Sequence, residues 1–129
     1  AGLVADPALR VKINGWQEAG FDGAMDLLQR PDRPTALFCL NDRAAMGAYE
    51  AARELGLRIP EDVSIVGFDN QEVIAAHLRP TLTTMQLPHH EMGRRGMLAL
   101  LGVEPLPRGR TLLHCPLVER ASVARCAVP

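Results

Sequence analysis

Two short apolar runs in this chain each end on an acid beside an amide. "TALFCL" runs into Asn41 and Asp42, and "SIVGFDN" carries β-branched residues straight into Asp69 and Asn70. A carboxylate offers two acceptor oxygens and a primary amide offers both a donor and an acceptor, an inventory that suits the adjacent hydroxyls of a sugar or nucleoside. Trp16, the only tryptophan, offers a flat apolar wall for a ring. Each residue also has a local alternative. Asp42 and Asn70 stand where helix N-caps belong, Asp69 suits a turn, and Trp16 suits plain packing.

Other chemistry finds no support. His89, His90 and Glu91 are consecutive, and neighbours on a helix point about 100° apart rather than toward one ion. His77 and His114 add no metal-ligand spacing, so no metal site is expected. No G-x-S-x-G, G-x-x-x-x-G-K or G-x-G-x-x-G occurs, and Thr83 and Thr84 are most simply strand residues. Neither enzyme activity nor a cofactor is expected.

The elements that must hold these residues follow from periodicity and breakers. Phe21, Met25 and Leu28, with Ala24, share one face of a helix over residues 17–29, which "RPDRP" stops. "TALFCL" is too short for a helix and unbroken in its apolarity, so it fits a strand buried on both faces in mid-sheet. The next helix carries Ala45, Tyr49, Ala52 and Leu55 on one stripe, with Asn41 or Asp42 as N-cap and Gly56 as its left-handed stop. "VSIVGF" completes a βαβ unit, whose crossover should be right-handed. "QEVIAAHL" predicts a short helix, "TLTTM" a strand, and Pro88 the first turn of a helix running to about Leu101. "RTLLHC" and "PLVERASV" are two further candidate strands. Such alternation means α/β with a parallel sheet, where ligands bind beyond the carboxyl ends of the strands. If the first two strands are neighbours, Asn41, Asp42, Asp69 and Asn70 share one rim.

Composition narrows the partners. Fourteen basic against fifteen acidic side chains give a net charge of −1, with no long run of either sign, which argues against nucleic acid or an anionic membrane as a direct partner. With 47% apolar residues the chain can build a core. Cys39, Cys115 and Cys126 are odd in number and share no CxxC spacing, as befits reduced thiols in a cytoplasmic protein.

The stretch "PTALFCLNDRAAMGAYEAARELGLRIPEDVSIVGFDN", followed by "RPTLTTM", "EMGRRG" and "LLHCPLVERASVA", resembles the C-terminal effector-binding region of the LacI/GalR family of bacterial transcription regulators. The resemblance implies a periplasmic-binding-protein-like fold of two α/β subdomains with a small-molecule effector, often a sugar or nucleobase, in the cleft between them. It further implies that the effector changes the affinity of a DNA-binding head. By this likeness Asn41 and Asp69 contact the effector, and Trp16, within a one-residue slip, packs on it. The polar residue that the family commonly carries three positions after the second Thr is Leu87 here, so Gln86 must substitute from a shifted register or the contact is absent. Residues 1–86 correspond to part of the distal (C-terminal) subdomain, 87–110 to part of the proximal (N-terminal) one, and 111–129 to a closing segment returning to the distal one. The expected chain is thus a truncated fragment, lacking the helix-turn-helix and the first strand and helix of the distal subdomain. It should leave a sheet edge open and bind effector only weakly alone. The likeness also implies a homodimer, with the helix bearing Met46, Tyr49 and Glu50 as candidate interface. A periplasmic sugar-binding protein of a transporter would share the fold and is the alternative.

Overall fold

A computed structural model describes residues 6–103 and 109–125. Helix α1 (Gln17–Leu28) follows an extended Trp16 and carries Glu18 in its first turn, where the helix dipole favours an acid. Strand β1 (Ala36–Phe38) leads into helix α2 (Asp42–Glu54), strand β2 (Ser64–Asp69) and the single turn of helix α3 (Glu72–Ala75). Strand β3 (Thr83–Gln86), helix α4 (His89–Leu100) and strand β4 (Leu117–Val118) complete the order. The sheet runs β1-β2-β3-β4, with the first three strands parallel and β4 antiparallel to β3. The predicted α/β class with a parallel sheet is therefore borne out.

Helix α2 is alanine-rich because both its flanks are covered. Ala44, Ala45, Ala48, Ala51 and Ala52 are buried, and a Cβ on Gly47 would lie 2.1 Å from the Gln17 carbonyl oxygen of α1. The two helices thus meet backbone to backbone. That contact rotates α1 relative to the predicted stripe: Gly20, Gly23, Ala24, Leu27 and Leu28 are buried, while Phe21 and Met25 pack at the margin. Gly56 ends the α2 region at φ +69°, the left-handed stop the sequence predicts.

Two strand expectations need correction. Among the described residues β1 lies at the edge of the sheet rather than in mid-sheet, with Leu37 buried and Phe38 68% exposed. An apolar run records the faces a strand expects to cover, not which strands flank it. Of the two tail strands, residues 110–115 form none, and only Leu117–Val118 pairs with β3. Pro116 divides the runs; it has no N–H to give a ladder, and its carbonyl accepts the Gln86 N–H at 2.8 Å.

The tail is locked by one hydroxyl. Ser122 is fully buried; its Oγ donates to the Ile65 carbonyl at 2.6 Å and accepts the Thr83 N–H at 2.8 Å, joining β2, β3 and the tail. Ser122→Ala leaves a buried carbonyl and a buried N–H unpaired. It is expected to cost about 2 kcal/mol, the scale for an unsatisfied buried group, read by urea denaturation of the complete protein.

Helix α4 buries none of its residues, and its Met92, Met97 and Leu100 are exposed. His89 and His90 open it, and Glu91 is held by Arg94 and Arg95. Cys39 is a buried free thiol and Cys115 a half-buried one; Cys126 lies outside the described residues. No helix among the described residues is long and apolar enough to cross a membrane.

Candidate functional site

The parallel register sets Phe38 beside Val66, so β1 and β2 release their chains at the same end of the sheet. Asn41 and Asp69 therefore leave from one rim, and Gln86 joins it as the register partner of Asp69 on β3.

Asn41 is the N-cap of α2. Its Oδ1 accepts the Ala44 N–H at 2.8 Å, which leaves its Nδ2 donors for other work, beside Gly15. Trp16 stands next to that glycine, 60% exposed, with the Arg43 guanidinium 5.0 Å from its ring centroid. The cation keeps the indole on the α2 N-terminal side. The structure so brings Trp16 to the Asn41 end of the rim. A depression of about 750 Å³ beside Trp16 is lined by Gln17, Glu18, Phe21, Asp22 and Glu50, and it includes neither Asn41 nor Asp69.

Asp69 and Asn70 answer how a strand can end on them without a spacer. Both adopt left-handed backbone, φ 97° and 52°, a conformation that Asp and Asn tolerate better than other non-glycine residues. The chain turns within two residues. Asp69 Oδ2 accepts from Gln71 Nε2 at 2.9 Å; its Oδ1 is buried, and no donor among the described residues reaches it.

The capping expectations for the other two rim residues are overturned. Asp42 is not the N-cap but the first helical residue. It is fully buried, with Oδ1 accepting from Thr84 Oγ1 at 2.6 Å and Oδ2 from the Gln71 N–H at 2.7 Å. Its carboxyl is raised to about 6: burial pushes it up most, the Thr84 and Gln71 bonds pull it down, and Asp69 pushes it up. Asn70 does not cap α3, whose N-cap is Gln71. Its Nδ2 donates to Gln86 Oε1 at 2.5 Å and its Oδ1 accepts from Arg120 Nη2 at 2.9 Å. Arg120 also donates to the Leu82 carbonyl and Glu72, so one guanidinium ties the tail to β3 and the α3 turn.

Thr84, Gln71 and Arg120 are the residues that sequence reasoning missed. Thr84 looks like any β-branched strand residue, and the signal that could have marked it is its alignment with Gly67. A Cβ on Gly67 would stand 2.2 Å from Asp42 Oδ1 and 3.2 Å from Thr84 Oγ1. The bare backbone there admits the carboxyl.

A short, mostly parallel sheet flanked by helices, with polar residues at the strands' carboxyl ends, is the arrangement in which open α/β sheets place their ligand sites. The chain belongs to the periplasmic binding protein-like domain family, whose sequence profile matches residues 4–123. It is 39% identical over 124 residues to the HTH-type transcriptional repressor CytR of Escherichia coli K12, covering 94% of this chain and 36% of the repressor. Among solved structures, a LacI family transcriptional regulator from Mycobacterium smegmatis superposes with a TM-score of 0.79 at 32% identity, over 95% of this chain and 47% of that one. A LacI family regulator from Enterococcus faecalis V583 with bound ribose gives a TM-score of 0.76 at 30% identity, over 88% of this chain and 43% of that one. The chain thus spans about a third of the curated repressor's length. The LacI/GalR resemblance drawn from its motifs is borne out.

Proposed function

We propose that this chain is the effector-sensing portion of a LacI/GalR-type transcription regulator, and that Asn41, Asp69 and Trp16 contact a small polyhydroxylated effector, a sugar in the first instance. The observation that carries the reading is the release of Asn41 and Asp69 from adjacent parallel strands at one end of the sheet. Asn41 then supplies donors, Asp69 an acceptor that also confers charge, and Trp16 a ring face. That one relative was solved with ribose supports the sugar class. Gln86, tied to Asn70, is the polar residue of this rim in place of the family's position at Leu87.

In this reading residues 1–86 and 111–129 form one lobe and 87–110 belong to the other. The exposed apolar side chains of α4 support that division. The effector favours one arrangement of the lobes through its differential contacts and so changes the affinity of a DNA-binding domain elsewhere in the complete cytoplasmic protein. The regulator acts as a homodimer. Of the candidate interface residues on α2, Met46 and Glu50 are partly exposed beside a depression of about 690 Å³, while Tyr49 is buried. The named relatives are repressors and regulators, which disfavours the transporter alternative. A thermal-shift screen of pentoses, hexoses and nucleosides on the complete protein tests the reading. A concentration-dependent rise in melting temperature with one of them is expected, and no rise with any of them contradicts it.

A further inference from the structure

Asp42 is a buried acid to which the effector-sensing reading gives no task. Both its oxygens accept a hydrogen bond, from Thr84 and from the Gln71 backbone, and Gly67 is bare where a Cβ would strike Oδ1. Gln71 bridges Asp42 to the carboxyl of Asp69: its N–H donates to Asp42 Oδ2 at 2.7 Å and its Nε2 to Asp69 Oδ2 at 2.9 Å. Asp69 in turn has one oxygen engaged by Gln71 Nε2 and the other, Oδ1, buried without a donor among the described residues. Two carboxylates so placed repel each other, and they hydrogen-bond only when one carries a proton.

We propose that Asp42 is a positioning residue for effector recognition: its protonated carboxyl donates to the buried Oδ1 of Asp69 and fixes that side chain so that Oδ2 meets the effector. Effector affinity therefore falls as the proton leaves. This rests on the reading of Asp69 as an effector contact.

The surroundings suit a held proton. Asp69 faces Asp42 from the end of β2, Thr84 from β3, Gln71 from the turn before α3, and Cys39 from the end of β1. The Cys39 thiol is pushed up to about 12, by burial first and then by the charge of Asp42, so it stays neutral. Arg120 is committed to Asn70 and Glu72, and Arg43 lies over Trp16. No cation is bonded to the Asp42 carboxyl among the described residues to compensate its charge. The Asp42 carboxyl rises from 3.8 to about 6. The sign follows: the folded protein holds this proton more firmly than the unfolded chain, so its contribution to stability is full below 3.8 and is lost as pH rises through about 6.

Two measurements on the complete protein decide the matter. Carboxyl ¹³C NMR titration, which needs no ligand, is expected to find Asp42 titrating near pH 6 in the wild type and lower in Asp69→Asn, where the repelling charge is gone. Calorimetry with D-ribose as probe is expected to give an affinity roughly tenfold weaker at pH 8 than at pH 5, the change for a one-unit difference in pKa between bound and free states. In Asp42→Asn it should be flat. Titration of Asp42 at its ordinary value, or at the same pH in Asp69→Asn as in the wild type, overturns the proton pair. Ribose affinity that is flat with pH in the wild type overturns its role in recognition. Absence of ribose binding at every pH, with the linked titration intact, removes ribose as the effector while supporting the proton pair.

Discussion

Gly67→Ala should remove about 3–5 kcal/mol of folding stability from the complete protein, a large share of the total for a domain of this kind. The added Cβ meets Asp42 Oδ1 at 2.2 Å and Leu82 Cδ2 at 2.9 Å. Neither can yield cheaply. Asp42 is held at both oxygens and Leu82 is fully buried. Overpacking of a tight core costs about 1–3 kcal/mol, and leaving a buried Asp42 oxygen without its Thr84 bond adds about 1–3. Urea denaturation measures the loss. The mechanism also predicts its partial repair: Gly67→Ala with Asp42→Ala should cost less than the two changes summed, because the second removes the oxygen that the first strikes. Simple additivity would assign the role of Gly67 to something other than this contact.

Asp69→Ala is expected to weaken effector binding by about 1.5–3 kcal/mol, the range for a hydrogen bond to a charged group. Stability is measured separately, because the change also removes the Gln71 Nε2 bond at Oδ2 and the acceptor that the proton pair assigns to Asp42. Isothermal calorimetry with the sugar that emerges from the thermal-shift screen reads the difference directly. Unchanged affinity removes Asp69 from the site. Asn41→Ala is a less clean probe, because the side chain that would face the effector also caps α2 through Ala44.

Local signals made most of the fold legible. Pro31, Pro34 and Gly56 mark ends that the structure respects, and the short apolar runs around residues 37 and 65 are strands. Pairing was harder to see. Whether β1 is central or at an edge depends on its neighbours, and "TALFCL" carries no information about them. The rim itself was legible because parallel strands must release their chains at one end. The role of Asp42 was not. A cap and a first-turn residue are adjacent and chemically alike, and only the contacts of Asp42 with Thr84, 42 positions away, and with Gln71 tell them apart. Asn70 is a similar case. Its partners Gln86 and Arg120 come from a later strand and from the tail, beyond the reach of any local pattern.

The most direct measurement is a crystal structure of the complete protein with its effector bound. Effector hydroxyls are expected within hydrogen-bond distance of both Asn41 Nδ2 and Asp69 Oδ2, with Asp42 still buried behind them. An effector seated elsewhere, such as the depression beside Met46, Arg53 and His77, with Asn41 and Asp69 untouched, would contradict it.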